Sequence, residues 1–209
     1  GEYGVILTSS DGSTWSHSYS SNQSTLNGIS FGNNTFVAVG ESGSILTSTN
    51  GTSWEDNTNH DVISGSINGV TYGNGIFVAV GYSGRTLTSS DGTSWESREQ
   101  WLTQYSLRGV AYGNGKFVAV GESGSIAFSP DGTNWELNQQ QLTWETFRGV
   151  AYGNGKFVAV GNYGTMATST DGAYWSANPE YSEITQYTLN GVAFGNNTFV
   201  AVVGDDMGY

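Results

Sequence analysis

The sequence has no cysteine, only two prolines and two histidines, and few basic side chains. Without cysteine there is no disulfide, thiol nucleophile or zinc–thiolate site. Six Lys and Arg against 18 Asp and Glu give a formal charge of −12, and so few cations could not neutralise a run of phosphates. We therefore expect neither nucleic acid nor an anionic membrane among the partners. No run of about 18 apolar residues is present, so we expect no membrane insertion.

Glycine and aromatic residues are abundant instead. Glycine occupies 31 of 209 positions, about twice the usual share, which with two prolines indicates many tight turns rather than disorder. The 7 Trp, 12 Tyr and 9 Phe supply large buried surface for a core. Charged residues make up only 11%, and this weakly charged polar composition is commoner in extracellular and cell-surface proteins than in cytosolic enzymes. The chain opens within its repeat pattern, at GEYG, so we expect any signal peptide to lie outside this sequence.

Internal repeats determine the predicted fold. The motif G-[VI]-x-[FY]-G-N recurs every 40 to 42 residues, starting at Gly28, Gly69, Gly109, Gly149 and Gly191. Each copy reads as four short strands; in the third copy these are LRGVAYG, KFVAVG, SIAFS and TNWE. The first two are joined by Asn114-Gly115, a pair that tolerates the positive φ angles of a two-residue type I′ hairpin. Four-stranded units of about 40 residues are typical of propeller blades.

The two ends of the sequence complement each other. The last copy supplies the first two strands of a unit, and residues 1–16 align with the last two. We therefore predict one all-β domain over residues 1–209, a five-bladed β-propeller of four-stranded antiparallel blades. Residues 1–16 would complete the fifth blade and close the ring without an open strand edge.

A second motif, S-x-[DN]-G-x-x-W, closes the turn between the third and fourth strands of each unit; we call this segment the box turn. It resembles the Asp-box, or BNR, repeat, although these copies lack the residue that usually separates Asp from Gly. The whole chain resembles bacterial propellers of the photosystem II stability and assembly factor family. The resemblance implies the propeller fold, but such propellers include sialidases, sorting receptors, assembly factors and lectins.

The box residues are interpreted as structural. The carboxylate or amide can accept backbone N–H groups across its own turn, and Asn in one copy preserves an acceptor without the charge. The tryptophans are expected to pack against the neighbouring blade. One carboxylate per blade, spread around a ring, does not make a metal site. The residues concerned are Asp11, Asn50, Asp91, Asp131 and Asp171, with Trp15, Trp54, Trp95, Trp135 and Trp175.

No catalytic constellation stands out. His17 and His60 lie in linkers without a neighbouring motif. A sialidase would need a cluster of arginines to grip the substrate carboxylate, but the arginines come from only three blades: Arg85, Arg98, Arg108 and Arg148. Nothing singles out a pair of carboxylates for glycoside hydrolysis, although the sequence does not exclude one. We therefore expect no enzyme, no catalytic residue, no metal and no cofactor.

A binding surface is predicted where the blade-to-blade linkers emerge, together with the turns between second and third strands; we call this the linker face. The residue before each repeat's first Gly is always polar, which predicts a hydrogen-bonding ring at the mouth of the central channel. Aromatic side chains gather in the linkers, and glutamates in the turns. The candidates are Asn27, Asn68, Arg108, Arg148 and Asn190, with Trp101, Tyr105, Trp144, Tyr181, Tyr187, Glu41 and Glu122.

Three functional hypotheses follow. Exposed aromatics beside amides suit sugar rings, so the first is a monomeric, multivalent, lectin-like module that binds glycans. The alternative is a protein-binding or assembly scaffold, in which Arg108, Arg148 and Trp144 form one asymmetric patch. A recently amplified or engineered propeller without an evolved ligand is the third.

Overall fold

The computed structural model describes residues 1–19, 23–60, 65–98, 102–177 and 185–204, and these ranges are all-β. The helical elements within them are five 3₁₀ turns of three residues, none long and apolar enough to cross a membrane. Each directly precedes the third strand of a blade: Glu2–Gly4, Glu41–Gly43, Tyr82–Gly84, Glu122–Gly124 and Asn162–Gly164.

Four blades are complete antiparallel sheets in which the strands pair in sequence order. Blade 1 contains β3 (Leu26–Gly32), β4 (Thr35–Gly40), β5 (Ile45–Ser48) and β6 (Glu55–Asp56). Blade 2 contains β7 (Ile67–Gly73), β8 (Ile76–Gly81), β9 (Thr86–Ser89) and β10 (Glu96–Arg98). Blade 3 contains β11 (Leu107–Gly113), β12 (Lys116–Gly121), β13 (Ile126–Ser129) and β14 (Glu136–Leu137). Blade 4 contains β15 (Phe147–Gly153), β16 (Lys156–Gly161), β17 (Met166–Ser169) and β18 (Ser176–Ala177).

The fifth, closing blade is divided between two two-stranded sheets. Its inner strands are β19 (Thr188–Gly195) and β20 (Thr198–Gly204), and its outer strands are β1 (Val5–Thr8) and β2 (Ser16–Tyr19). Among the described residues no backbone ladder joins β20 to β1. The prediction of an all-β, five-bladed propeller is confirmed.

The hairpins between first and second strands have the geometry that the Asn-Gly pairs predict. Asn114 and Gly115 have φ angles of 46° and 72°, both in the left-handed region that a type I′ turn requires. In the first copy Asn33 and Asn34 take the same region, at 44° and 60°, since Asn is the non-glycine residue that tolerates it best.

The core lies between successive blades rather than within any one of them. Val37, Val39 and Ile45 of blade 1 pack against Phe77 and its neighbours in blade 2, and all are buried. Equivalent clusters join blade 2 to blade 3 and blade 3 to blade 4. Blades 1 to 4 therefore bury their apolar faces against one another, as expected for repeat architectures.

The flank between blade 5 and blade 1 is different. Val200 and Val202 of β20 are 59% and 57% exposed, whereas the equivalent Val37 and Val39 are fully buried. Ile29 of β3 is likewise exposed on the side where β19 would pack. The outer strand β1 of blade 5 does contact blade 1, because Ile6 packs with Ala38 and Leu46.

Candidate binding face

The box turns are self-contained hydrogen-bonded units. Asp131 Oδ1 accepts the N–H groups of Thr133 and Asn134, each at 2.8 Å. Ser129 Oγ donates to that carboxylate at 3.1 Å and accepts the N–H of Gly132 at 2.8 Å. In blade 1 Asn50 Oδ1 accepts the N–H groups of Thr52 and Ser53 at 2.9 Å each. An amide therefore serves as well as a carboxylate, and the acceptor geometry is what the turn uses.

These hydrogen bonds also set the charge state of the box carboxylates. The N–H groups of Thr14 and Ser13 lower the pKa of Asp11 to about 2. The backbone N–H of Ser94 is the largest cause of a pKa of about 2 at Asp91, against some burial that raises it. Partial burial would raise the pKa of Asp131, but the donors on Asn134 and Thr133 hold it well below its usual range. Such carboxylates remain ionised at neutral pH and are not general acids.

The box tryptophans follow the packing of their blades. Trp135 and Trp175 are buried, and Trp54 and Trp95 are half-buried. Their indole N–H groups donate to the box glycine carbonyls, for example from Trp95 to Gly92 at 2.7 Å.

Trp15 departs from the expected packing, because its side chain is 59% exposed. A Cβ added at Gly92 of the blade 2 box would lie 2.7 Å from Val37 of blade 1. At Gly12, beside Trp15, nothing lies within 4 Å of such an atom. Each box glycine of blades 2 to 4 meets the second strand of the preceding blade, so Val158 of blade 4 would supply this contact at Gly12. Because nothing lies there, the blade 5 box is not packed against blade 4 and Trp15 stays exposed.

Hydrogen bonds define the two faces of the propeller. Asn33 Nδ2 in the first hairpin donates to Ser90 O beside the blade 2 box at 3.3 Å. On the opposite side, the 3₁₀ turn of blade 3 donates from Gly124 N–H to Glu145 O in the following linker at 2.8 Å. The box turns therefore share a face with the hairpins, and the 3₁₀ turns share the linker face with the linkers.

A β-bulge places the five polar residues predicted at the channel mouth. In each innermost strand the register shifts at this residue, between Leu107 and Gly109 in blade 3 and at the matching positions of the others. A bulged residue is left out of the ladder and its side chain is redirected. All five side chains line one cavity of about 570 Å³ on the linker face, together with Glu41. We call them the mouth residues: Asn27, Asn68, Arg108, Arg148 and Asn190.

The asparagine and arginine mouth residues form different contacts. Asn27 Nδ2 donates to Ile67 O of blade 2 at 3.0 Å, and Asn68 Nδ2 donates to Leu107 O of blade 3 at 2.8 Å. These two amides clamp one innermost strand to the next. The arginines instead contact the 3₁₀ turn of their own blade, through Glu122 at 2.5 Å and Asn162 at 2.7 Å.

The ion pair at Arg108 gives this side of the mouth a defined charge pattern. Glu122 is half-buried, which would raise its pKa, but the hydrogen bond from Arg108 and the N–H of Ser106 lower it instead. The carboxylate is thus ionised and pinned between β11 and the turn before β13. Arg148 has no carboxylate at the matching turn position, where Asn162 stands.

The predicted linker aromatics have unequal exposure. Trp144 and Tyr187 are exposed, and Tyr105 is half-buried in the linker before blade 3. Trp101 and Tyr181 lie outside the described residues. Tyr163, in the 3₁₀ turn of blade 4, is also exposed on the linker face and was not among the sequence candidates. Tyr163 stands where the ESG turns have Ser, and this difference between the copies could have identified it from the sequence.

The described residues contain no group of three or more His, Asp or Glu side chains placed to hold a metal ion. His17 lies on β2 and His60 at the end of the described part of the blade 1 linker.

The five antiparallel blades define the protein as a β-propeller. No protein-family model and no curated protein sequence matches the chain. Among solved structures, YCF48 bound to D1 peptide is 19% identical with a TM-score of 0.54, over 98% of this chain and 87% of that one. YCF48 from Cyanidioschyzon merolae is 20% identical with a TM-score of 0.66, over 94% and 70%.

Virginiamycin B lyase from Staphylococcus aureus has a higher TM-score, 0.77, at 11% identity, over 96% of this chain and 71% of that one. At these identities the likeness supports the fold alone.

Proposed function

We propose that the protein is a non-catalytic interaction propeller that binds a segment of a partner protein in the cavity at the channel mouth. The observation that carries the proposal is the meeting of all five mouth residues around one cavity of about 570 Å³. This volume lies within the range of protein ligand sites, and the lining is polar side chains from every blade. Such a cavity suits a chain segment with several hydrogen-bonding groups.

The cavity is asymmetric, which favours a protein partner over a repeated sugar. Two arginines stand on the adjacent blades 3 and 4, and asparagines occupy the same place in the others. Trp144 is exposed in the linker between those two blades. A multivalent lectin would repeat its contact residues in most blades. Here the two arginines and Trp144 lie together on the side of blades 3 and 4.

The solved structures that resemble this chain are compatible with the proposal. YCF48 has been solved bound to a peptide, which is the class of ligand proposed here. The resemblance of the whole chain to assembly-factor propellers points in the same direction.

Selection from a displayed peptide library, followed by calorimetric titration of the enriched peptides, tests the proposal. Arg108→Ala combined with Arg148→Ala should weaken binding at least tenfold. The matched control is Lys116→Ala with Lys156→Ala, which removes two cations from the same two blades on the hairpin side. Equal losses in both double variants would contradict a site at the mouth.

A glycan array on the same protein separates this proposal from the lectin hypothesis. Enriched peptides that depend on the arginines, with no glycan response, support a protein partner. A saturable glycan response without any enriched peptide would overturn the proposal in favour of carbohydrate binding.

A further inference from the structure

A second cavity lies at the outer rim, between blade 1 and blade 2. It has a volume of about 670 Å³ and lies between residues 57–60, which follow β6, and residues 93–95, which precede β10. It is separate from the mouth cavity, because it is formed at the outermost strands and no mouth residue lines it.

The same place between blades 3 and 4 is filled by the protein's own side-chain amides. Asn138 Nδ2 donates to Ala173 O at 2.5 Å. Gln140 Oε1 accepts the N–H of Trp175 at 2.9 Å, and its Nε2 donates to Trp175 O at 3.3 Å. One primary amide thus satisfies both backbone groups of a residue at the start of an outer strand, because its donor and acceptor lie side by side.

Among the described residues, the blade 1–2 junction does not form the two contacts that Asn138 and Gln140 make. By position Asn57 matches Asn138, but its Nδ2 turns back to Thr47 Oγ1 at 2.7 Å and Glu55 O at 3.3 Å within its own blade. Asn59 matches Gln140 and is one methylene shorter. Trp95 matches Trp175, and among the described residues no side chain contacts its backbone N–H or C=O. Trp95 is one of the residues that line the cavity.

We propose that this cavity is a binding site for a carboxamide side chain, of the glutamine type, carried by a ligand. Its oxygen accepts the N–H of Trp95 and its nitrogen donates to Trp95 O, reproducing the two bonds that Gln140 makes to Trp175. The half-buried indole of Trp95 provides an apolar wall for the methylenes, and the hydroxyl groups of Thr93 and Ser94 border the entrance. A carboxylate would not fit, because it has no donor for Trp95 O.

The site is independent of the proposed function, since it uses none of the mouth residues. A protein that lost peptide binding at the mouth would keep its carboxamide site, so the two failures can be told apart.

Backbone ¹H–¹⁵N NMR of the whole chain, titrated with propionamide, tests the proposal. Propionamide carries the glutamine side-chain group, and propionate is the matched probe without a donor. We expect a saturable shift of the Trp95 amide with propionamide and none with propionate. Trp175 should not move in the wild type, because Gln140 occupies its site.

Two variants make the test specific. Asn59→Gln supplies the internal amide and should weaken the response of Trp95 at least tenfold, whereas Gln140→Ala should create a response at Trp175. An unmoved Trp95, an equal response to propionate, or full binding in Asn59→Gln would overturn the proposal. A stronger response to N-acetylglycine N-methylamide, which has only secondary amides, would overturn the side-chain assignment in favour of an extended backbone.

Amide hydrogen exchange gives a readout that needs no ligand. In the wild type the Trp95 amide should exchange at least tenfold faster than that of Trp175. Asn59→Gln should slow exchange at Trp95, and Gln140→Ala should speed it at Trp175. Equal protection of the two amides in the wild type would contradict an uncapped site at Trp95.

Discussion

At the scale of single residues, the box aspartates show what comparison of copies within one chain can establish. Asp131 and Asn50 hold the same two backbone N–H groups at nearly the same distances. The sequence predicted this from the Asn in one copy. It could not predict that Asn134 also donates to Asp131 Oδ2 at 2.7 Å, since that contact depends on a side-chain rotamer.

Asp131→Asn should lower the free energy of unfolding only slightly, since the amide oxygen keeps both backbone bonds and only the exposed contact from Asn134 Nδ2 is lost. Asp131→Ala removes the acceptor and should lower it by about 1 kcal/mol, as loss of a capping side chain does. Denaturant unfolding of the two variants measures the difference. Equal losses would show that the turn needs the charge and not merely the acceptor.

The low pKa values of the box carboxylates predict the acid limb of the stability curve. Asp11 and Asp91 have folded pKa values of about 2, below the unfolded value of about 3.9. Their contribution is complete above about pH 4 and is lost as the pH falls towards about 2. Unfolding measured against pH should be flat from neutral to about pH 4 and then fall. Asp91→Asn should make this fall shallower, and an unchanged slope would contradict the assignment.

At the scale of the strand and the turn, the repeat pattern predicted most of the structure. The Asn-Gly hairpins, the four-strand order and the buried Val and Phe positions of the second strands are all legible in one copy and repeated in the rest. The contacts of the mouth residues were not legible. Asn27 is short and reaches a carbonyl of the next blade, whereas Arg108 is long and charged and pairs with a turn carboxylate in its own blade. Identical sequence positions thus have different partners.

The glycine that ends each innermost strand is required by the neighbouring blade. A Cβ added at Gly113 of β11 would lie 2.0 Å from Tyr152 Cγ of blade 4. Gly113→Ala should therefore lower the free energy of unfolding by about 3 kcal/mol, the upper range for overpacking. Gly115→Ala, in the hairpin two residues away, has nothing within 4 Å and a φ of +72°, so only backbone strain opposes it, at about 1 kcal/mol. Thermal or denaturant unfolding compares the two, and equal losses would contradict the steric explanation.

At the scale of the whole molecule, the junction between blade 5 and blade 1 differs from the other junctions. Its valines and Ile29 are exposed, although the matching residues between the other blades are buried or half-buried. Exposed β-branched residues along an unpaired strand favour association with another strand. The strand with the matching register is β1, because Val37 pairs with Thr47 in blade 1 and the equivalent residues of the closing blade are Val200 and Thr8.

We therefore expect β20 to pair with β1, and the absence of native cysteine allows a direct test. Thr8→Cys with Val200→Cys should form an intramolecular disulfide on mild oxidation, because residues directly opposite in an antiparallel pair have Cβ atoms about 4.5–5.5 Å apart. Val37→Cys with Thr47→Cys is the positive control within a complete blade. Intact mass and non-reducing electrophoresis distinguish the monomeric crosslink from a dimer.

Gly195→Ala provides a second, independent measure of the same junction. Gly195 ends β19 as Gly113 ends β11, but nothing lies within 4 Å of an added Cβ there. If β20 pairs with β1, β19 moves against blade 1 and Phe31 takes the place that Tyr152 has beside Gly113. Gly195→Ala would then destabilise the protein about as much as Gly113→Ala. A tolerated Gly195→Ala, with no crosslink between positions 8 and 200, would mean that the two halves of the closing blade remain separate sheets and that the exposed valines are open to another chain.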